Sequence, residues 1–205
     1  MKIFLVAGYT GDIWSALFRK LKERDYPTFW INAREEEIKI KQFIKEVLEG
    51  RKEKVNEVFF INCVGCFVFW QAIELTKKDF LNSFECNFLV PVKLIQIFSK
   101  LSIEILKGNT KKIIININSQ AALKPFWYGG AYNSMKAALN MYLKIFEKEN
   151  RNMWFKVKQF YPPVVKNTKV FENMPYKPKS DKIVDLEDFV EEVIREIIKE
   201  GMSED

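Results

Sequence analysis

The sequence contains no histidine. That absence removes every mechanism that depends on imidazole, including Ser-His-Asp and Cys-His nucleophilic catalysis. Acid/base chemistry must then come from Tyr, Lys, Cys, Asp or Glu. Three cysteines are an odd count and give no disulfide framework. Without a histidine or a fourth cysteine to complete a ligand set, no metal site is expected. No run is long and apolar enough to span a bilayer, because the most apolar stretch, Val58–Trp70, is short and interrupted by Asn62 and Gly65. Ile3–Ala7 opens directly into a glycine turn rather than a cleavage site, so the expected location is cytoplasmic.

What is present describes an ordinary folded chain. The 205 residues suit a single domain, 1–205, around one core. Hydrophobic residues make up 48% and charged residues 29%. The net charge is +6, but it is spread out. Lys and Glu alternate through Lys39–Lys54 and Glu187–Glu200, as on solvated helix faces. The expectation is no nucleic-acid partner and no membrane partner. A basic potential still favours an anionic cofactor.

Strand-like and helix-like segments alternate along the chain. Lys2–Ala7, Pro27–Asn32, Val58–Ile61, Lys112–Ile117 and Phe155–Phe160 read as strands. Ile13–Glu23, Lys41–Glu49, Asp79–Leu106, Tyr132–Glu149 and Asp185–Lys199 read as helices, the third divided or bent near Pro91 and the last capped by Asp185. Glu37–Ile40 is the only candidate for a further strand, and Tyr161–Asp181 reads as a loop. This alternation predicts an α/β fold: a Rossmann-type doubly wound parallel sheet in one three-layer domain. Against the family that the motifs below resemble, the sheet is abbreviated after the second strand and at the C-terminus. Ligands of such sheets sit at the carboxyl ends of the strands.

Three groups of residues fall at those ends. The first is the turn Gly8-Tyr9-Thr10-Gly11-Asp12-Ile13. Glycines here let the backbone approach a pyrophosphate at a helix N-terminus. Trp14 stands where a third glycine would allow helix and strand to pack closely, and Asp12 adds a carboxylate beside the expected phosphates. An ordinary βα turn is the alternative. The second is Arg34, just past the second strand. It can pair with the 2′-phosphate of NADP, which favours NADP over NAD, or it can be a surface arginine neutralised by Glu35–Glu37.

The third group is Ser119, Tyr132 and Lys136. Ser119 follows a strand, and Tyr132 and Lys136 are one helical turn apart and share a face. A nearby ammonium is expected to lower the phenol pKa from about 10 toward neutrality, making Tyr132 a usable acid/base. Cys63 and Cys66 form a C-x-x-C that is a redox pair, part of a metal site with Cys86 that lacks a fourth ligand, or, as the simpler reading, small residues beside a cofactor. Phe67, Phe69, Trp70, Phe126, Trp127 and Tyr128 read as core, pocket wall or subunit interface.

Taken in order, these motifs resemble the short-chain dehydrogenase/reductase family. Gly8–Ile13 is similar to its glycine-rich turn. Ile61-Asn62-Cys63-Val64-Gly65 is similar to its Asn-Asn-Ala-Gly segment. Asn87 matches its helix asparagine, Ser119 its strand serine, and Tyr132–Lys136 its Tyr-x-x-x-Lys. Tyr161-Pro162-Pro163-Val164-Val165 is similar to its Pro-Gly segment, and Thr168 to the threonine beyond it. The resemblance implies catalysis by Asn87, Ser119, Tyr132 and Lys136. Tyr132 would exchange a proton with the substrate oxygen, and Lys136 would bind the nicotinamide ribose. Ser119 would orient the carbonyl, and Asn87 would hold a water. Cofactor contacts are implied at Gly8, Tyr9, Thr10, Gly11, Ile13, Arg34, Asn62, Cys63, Gly65, Tyr132, Lys136, Pro162 and Val165. The implied function is hydride transfer between NADP(H), with NAD possible, and a small carbonyl or alcohol. The alternative is a catalytically impaired binding or regulatory protein, to which Trp14 and Pro163 point. The apolar residues of Tyr132–Glu149 and the family resemblance imply a homodimer or homotetramer.

Overall fold

The computed structural model describes residues 1–9, 11–67, 69–175, 178 and 183–200. Five strands form one parallel sheet: β1 (Lys2–Gly8), β2 (Thr28–Asn32), β3 (Glu57–Asn62), β4 (Lys111–Ile117) and β5 (Phe155–Phe160), in the order β2-β1-β3-β4-β5. Their side chains alternate between two apolar layers, as the two-residue strand period requires. Ile3, Leu5, Val58, Phe60 and Ile114 face one layer; Phe4, Val6, Phe59, Ile61, Ile113 and Ile115 face the other. Both faces are therefore covered, and the strands read as unbroken hydrophobic runs. The first layer is closed by α2 (Glu37–Glu49), α4 (Val90–Ile105) and α5 (Gly130–Asn150). The second is closed by α1 (Asp12–Glu23) and α7 (Leu186–Glu200).

The chain leaves β1 for β2 on one side and returns to β3 on the other. A crevice opens where the strand order reverses, at the carboxyl ends. The structure departs from the sequence expectations in two places. Glu37–Ile40, the candidate strand, is the first turn of α2. Ile40 and Ile44 are both buried one turn apart, so helical periodicity outweighs the β-branched residues.

The helical stretch over Asp79–Leu106 is divided near Pro91, as expected, into α3 (Lys77–Phe84) and α4, joined by the π turn Glu85–Leu89. Thr76 caps α3 in a capping box with Asp79. In the π turn the Val90 N–H reaches back to the Glu85 carbonyl, and Pro91 follows in the first turn of α4. Pro91 has no N–H for an α-helical bond, so the widened turn just ahead of it is where the ladder is relieved.

The second departure is in the loop expected over Tyr161–Asp181. It contains a strand, β6 (Val164–Lys166), and a short helix, α6 (Lys169–Glu172). β6 pairs in parallel with β7 (Ile183–Asp185) as a separate two-stranded sheet. Asp185 closes β7, and its carboxylate accepts the Glu187 N–H at 2.8 Å, as its expected capping role requires. Among the described residues no helix is long and apolar enough to cross a membrane.

Candidate active site

A cavity of about 730 Å3 runs along the carboxyl ends of the strands. Tyr9 and Arg34 line it, as do Ser119, Tyr132 and Lys136. Sequence places these residues on four separate elements, and the sheet gathers them. Gly11, Ile13, Cys63, Gly65, Pro162 and Val165 are also on its wall. Thr10 lies outside the described residues.

Arg34 follows the exit of β2 and stacks its guanidinium 4.0 Å above the Tyr9 ring. Gly8 ends β1, and the Trp14 indole lies directly against it: a Cβ on Gly8 would fall 2.5 Å from Trp14 Cδ1. The indole Nε1 donates to the Val6 carbonyl at 3.4 Å, and the ring packs on Phe18 and Trp30. Gly8 itself is covered by this ring and is not part of the cavity wall. Asp12, the expected intruder beside phosphates, accepts the Lys169 backbone N–H at 2.8 Å and so ties the first turn to the start of α6.

Asn62 and Asn87 are fully buried, and neither lines the cavity. Asn62 donates to Asn116 Oδ1 at 2.7 Å and accepts from the Val64 N–H, so its amide holds β3 to β4. Asn87 Oδ1 accepts the Cys66 N–H at 3.0 Å, while Nδ2 donates to the Cys66 carbonyl at 3.0 Å and to Ser83 Oγ at 3.1 Å. Both ends of the Asn87 carboxamide are thus bonded to the chain and hold the Cys66 segment against the turn that carries Asn87. Gly65 lies beside it. A Cβ on Gly65 would fall 3.2 Å from both Asn87 Oδ1 and Lys136 Nζ.

Tyr132 sits in the first turn of α5 and Lys136 one turn on. The Phe67 ring lies on Tyr132 with 4.2 Å between centroids, and Phe69 lies on Phe67 at 3.9 Å. Burial pushes the phenol up to about 12, and a hydrogen bond with Ser119 pulls in the opposite direction. The expected lowering by Lys136 is overridden: its Nζ is 5.7 Å from the ring centroid and is itself buried. Burial pushes the Lys136 ammonium down to about 8, against the attraction of Cys86, Cys66 and Cys63. Ser119 Oγ accepts the Ala121 N–H at 3.1 Å, which fixes the serine at the exit of β4.

Behind the site, a chain of amides joins β3, β4, β5 and α5. Asn116 Nδ2 and Asn118 Nδ2 donate to Gln159 Oε1, and Gln159 Nε2 donates to Asn140 Oδ1. Tyr161 also donates to Asn140, at 2.8 Å. Asn140 is one helical turn beyond Lys136, so this network sets the register of the helix that carries Tyr132 and Lys136. No local sequence signal marks it, because its members come from four elements. Thr168, which the resemblance placed beyond the Pro-Gly segment, and Met174 also line the cavity.

Residues 2–178 match the family described as short chain dehydrogenase. Among characterised relatives, a benzil reductase ((S)-benzoin forming) of Bacillus cereus is 31% identical over 125 residues, 59% of this chain and 49% of that protein. The short-chain dehydrogenase srdE of Neurospora crassa is 29% identical over 102 residues, 50% of this chain and 32% of that protein. The matched segment thus spans about half or less of these relatives. Among solved structures, 4-hydroxyisoleucine dehydrogenase complexed with NADH superposes with a TM-score of 0.75 at 20% identity, covering 96% of this chain and 90% of that one. An alcohol dehydrogenase from the archaeon Thermococcus sibiricus, complexed with 5-hydroxy-NADP, gives 0.72 at 19% identity, covering 97% and 91%. The fold is shared across these structures, and the match over nearly the whole length assigns this chain to the short chain dehydrogenase family.

Proposed function

We propose that this chain is an NADP(H)-dependent oxidoreductase that reduces a small carbonyl compound, with Tyr132 as the proton donor. The observation that carries this reading is one cavity with Arg34 and Tyr9 at its β2 side and Ser119, Tyr132 and Lys136 at its α5 side. The residues present fit a dinucleotide. Gly65 leaves open backbone beside the Lys136 ammonium, Arg34 offers a planar cation for a phosphate, and Asp12 is turned to the Lys169 N–H. Arg34 and Tyr9 would hold the adenosine end, Gly11 and Ile13 the pyrophosphate, and Lys136 the nicotinamide ribose. The bound cofactor supplies the hydride.

The chain's own residues then handle the proton. A phenol held up near 12 is protonated at neutral pH, so Tyr132 is ready to donate to a developing alkoxide. Ser119, hydrogen-bonded to Tyr132, holds the same oxygen. Lys136 lies close enough to the phenol to support its charge once the proton has left. Phe67, Phe126 and Trp127 give the cleft an apolar wall suited to an aromatic or flat carbonyl compound. Because a benzil reductase is among the relatives, benzil is the first substrate to test. Met141 and Ile145 stay exposed on α5 while Leu139 and Leu143 are buried, which supports a homodimer or homotetramer through this helix.

A second reading is a nucleotide-binding or regulatory protein without turnover. Trp14 favours it, since its indole fills the space over Gly8. Titration with NADPH and NADH, followed by quenching of the tryptophans, separates the two together with a carbonyl screen. NADPH binding with turnover that Tyr132→Phe abolishes supports the enzyme. Binding without turnover of any carbonyl supports the second reading.

A further inference from the structure

The Lys136 ammonium is attracted to three thiols, Cys86, Cys66 and Cys63. Sequence spacing pairs Cys63 with Cys66, but the fold pairs Cys66 with Cys86. Cys86 lies within hydrogen-bond reach of the Cys66 sulfur, which also faces the Asn82 carbonyl at 4.0 Å. Both side chains are half-buried and both line the cavity, so a small solute can reach them. Asn87 Nδ2 points at the Cys66 sulfur at 3.7 Å. Cys86, Asn87 and the Lys136 charge thus converge on one sulfur, while burial pushes the Cys63 thiol up to about 12 and keeps it protonated. The contact with Cys86 holds the Cys66 thiol below its ordinary range against the effect of burial, helped by the Lys136 charge and by Asn87.

We propose that Cys66 and Cys86 form an oxidation site on the wall of the cofactor cleft, at which a hydroperoxide converts the two thiols into a disulfide. Cys66 thiolate attacks the peroxide, the O–O bond breaks, and the released oxygen takes up a proton and leaves as water or an alcohol. Cys66 is then a sulfenic acid. The Cys86 sulfur attacks it, the S–S bond forms, the S–O bond breaks, and the Cys86 proton leaves with the hydroxide as water. Two thiols lose two electrons and two protons, and the hydroperoxide is reduced by the same two electrons. The roles differ because the neighbours differ: Cys66 receives the stabilising contacts, and Cys86, whose thiol is pushed up by its contact with Cys66, is the resolving group.

The site is coupled to the candidate catalytic residues through covalent neighbours. Asn87 follows Cys86 and clasps the Cys66 backbone on both sides. Phe67 follows Cys66 and lies on Tyr132. A Cys66–Cys86 bond closes the clasp covalently and withdraws both thiols from Lys136. The oxidation stands apart from the proposed hydride transfer, and its readout is mass rather than turnover.

The test treats the full chain with a slight excess of hydrogen peroxide, followed by alkylation, intact mass measurement and peptide mapping. The expected product has lost two hydrogens, carries a Cys66–Cys86 cross-link, and reverts with dithiothreitol. Cys66→Ser and Cys86→Ser abolish the cross-link, and Cys63→Ser retains it. A Cys63–Cys66 cross-link overturns the proposal, as does irreversible overoxidation without any disulfide, or three thiols left unchanged. A second measurement needs no cysteine variant. Iodoacetamide on the folded chain modifies Cys66 about tenfold faster than Cys63 near neutral pH, and Lys136→Met slows that reaction several-fold. Equal rates at Cys66 and Cys63 would also overturn it.

Discussion

The Trp14 indole rests on Gly8, where the first strand ends, and leaves no room for a side chain: a Cβ would fall 2.5 Å from its Cδ1. The glycine here serves a tryptophan as well as the turn. Gly8→Ala should therefore destabilise the fold by about 1–3 kcal/mol through overpacking. Trp14→Ala alone should also cost stability, since the ring packs on Phe18 and Trp30. The double variant should be more stable than the two single effects predict when added. Urea denaturation of the four proteins checks this, and strict additivity would mean that the contact carries no energy.

The sheet and the Ser119–Tyr132–Lys136 group were legible because each rests on a local pattern: apolar runs for strands, and a one-turn spacing on a helix. What was not legible depends on contacts between distant elements. Asn87 and Asn62 are identifiable by type, but their burial behind the cavity wall and their bonds to Cys66 and Asn116 depend on the fold. Glu37–Ile40 is helical because Ile40 and Ile44 pack into the core together. The Cys66–Cys86 contact crosses from the exit of β3 to a π turn, which no spacing rule could pair. Tyr132 shows the same limit. Its nearness to Lys136 was readable, but the depth of burial that reverses the expected shift was not.

Arg34 is the group whose removal should separate the two cofactors. Arg34→Ala is expected to weaken NADPH binding about tenfold to a hundredfold, the loss of one charge-assisted pair, while NADH binding stays within about twofold. Isothermal titration with each nucleotide measures both. An equal loss for the two would mean that the arginine supports Tyr9 rather than reading a phosphate.

Tyr132→Phe keeps the ring on Phe67 and removes only the hydroxyl, so its fold should be preserved. Carbonyl reduction by this variant is expected to fall by about 10²–10⁴, with NADPH affinity nearly unchanged. Steady-state kinetics beside a binding titration check the split. Retained turnover would remove Tyr132 from the role of proton donor.

Lys136 stabilises nothing by being charged in the protein alone; burial makes its ammonium costly. Its pKa is about 8 in the folded chain against an ordinary 10.5, so the folded state gives up its proton first. Between those values the unfolded chain holds more protons than the folded one, and stability rises with pH in that window. Below about pH 8 the full penalty is present, on the order of 3 kcal/mol. Lys136→Met removes the charge and keeps much of the volume. It should therefore raise the melting temperature of the protein at pH 6.5, by an advantage that shrinks toward pH 10. Tyr132 acts with the opposite sign at higher pH: its folded value near 12 exceeds the ordinary 10, so its contribution is lost as pH climbs between them. The same methionine should abolish turnover while making the fold more stable, which is what a charge kept for chemistry rather than for packing implies. Thermal melts of wild type and variant across pH 6–10 decide the matter. A variant less stable than wild type at pH 6.5 would show that the ammonium has partners within the protein that offset its burial.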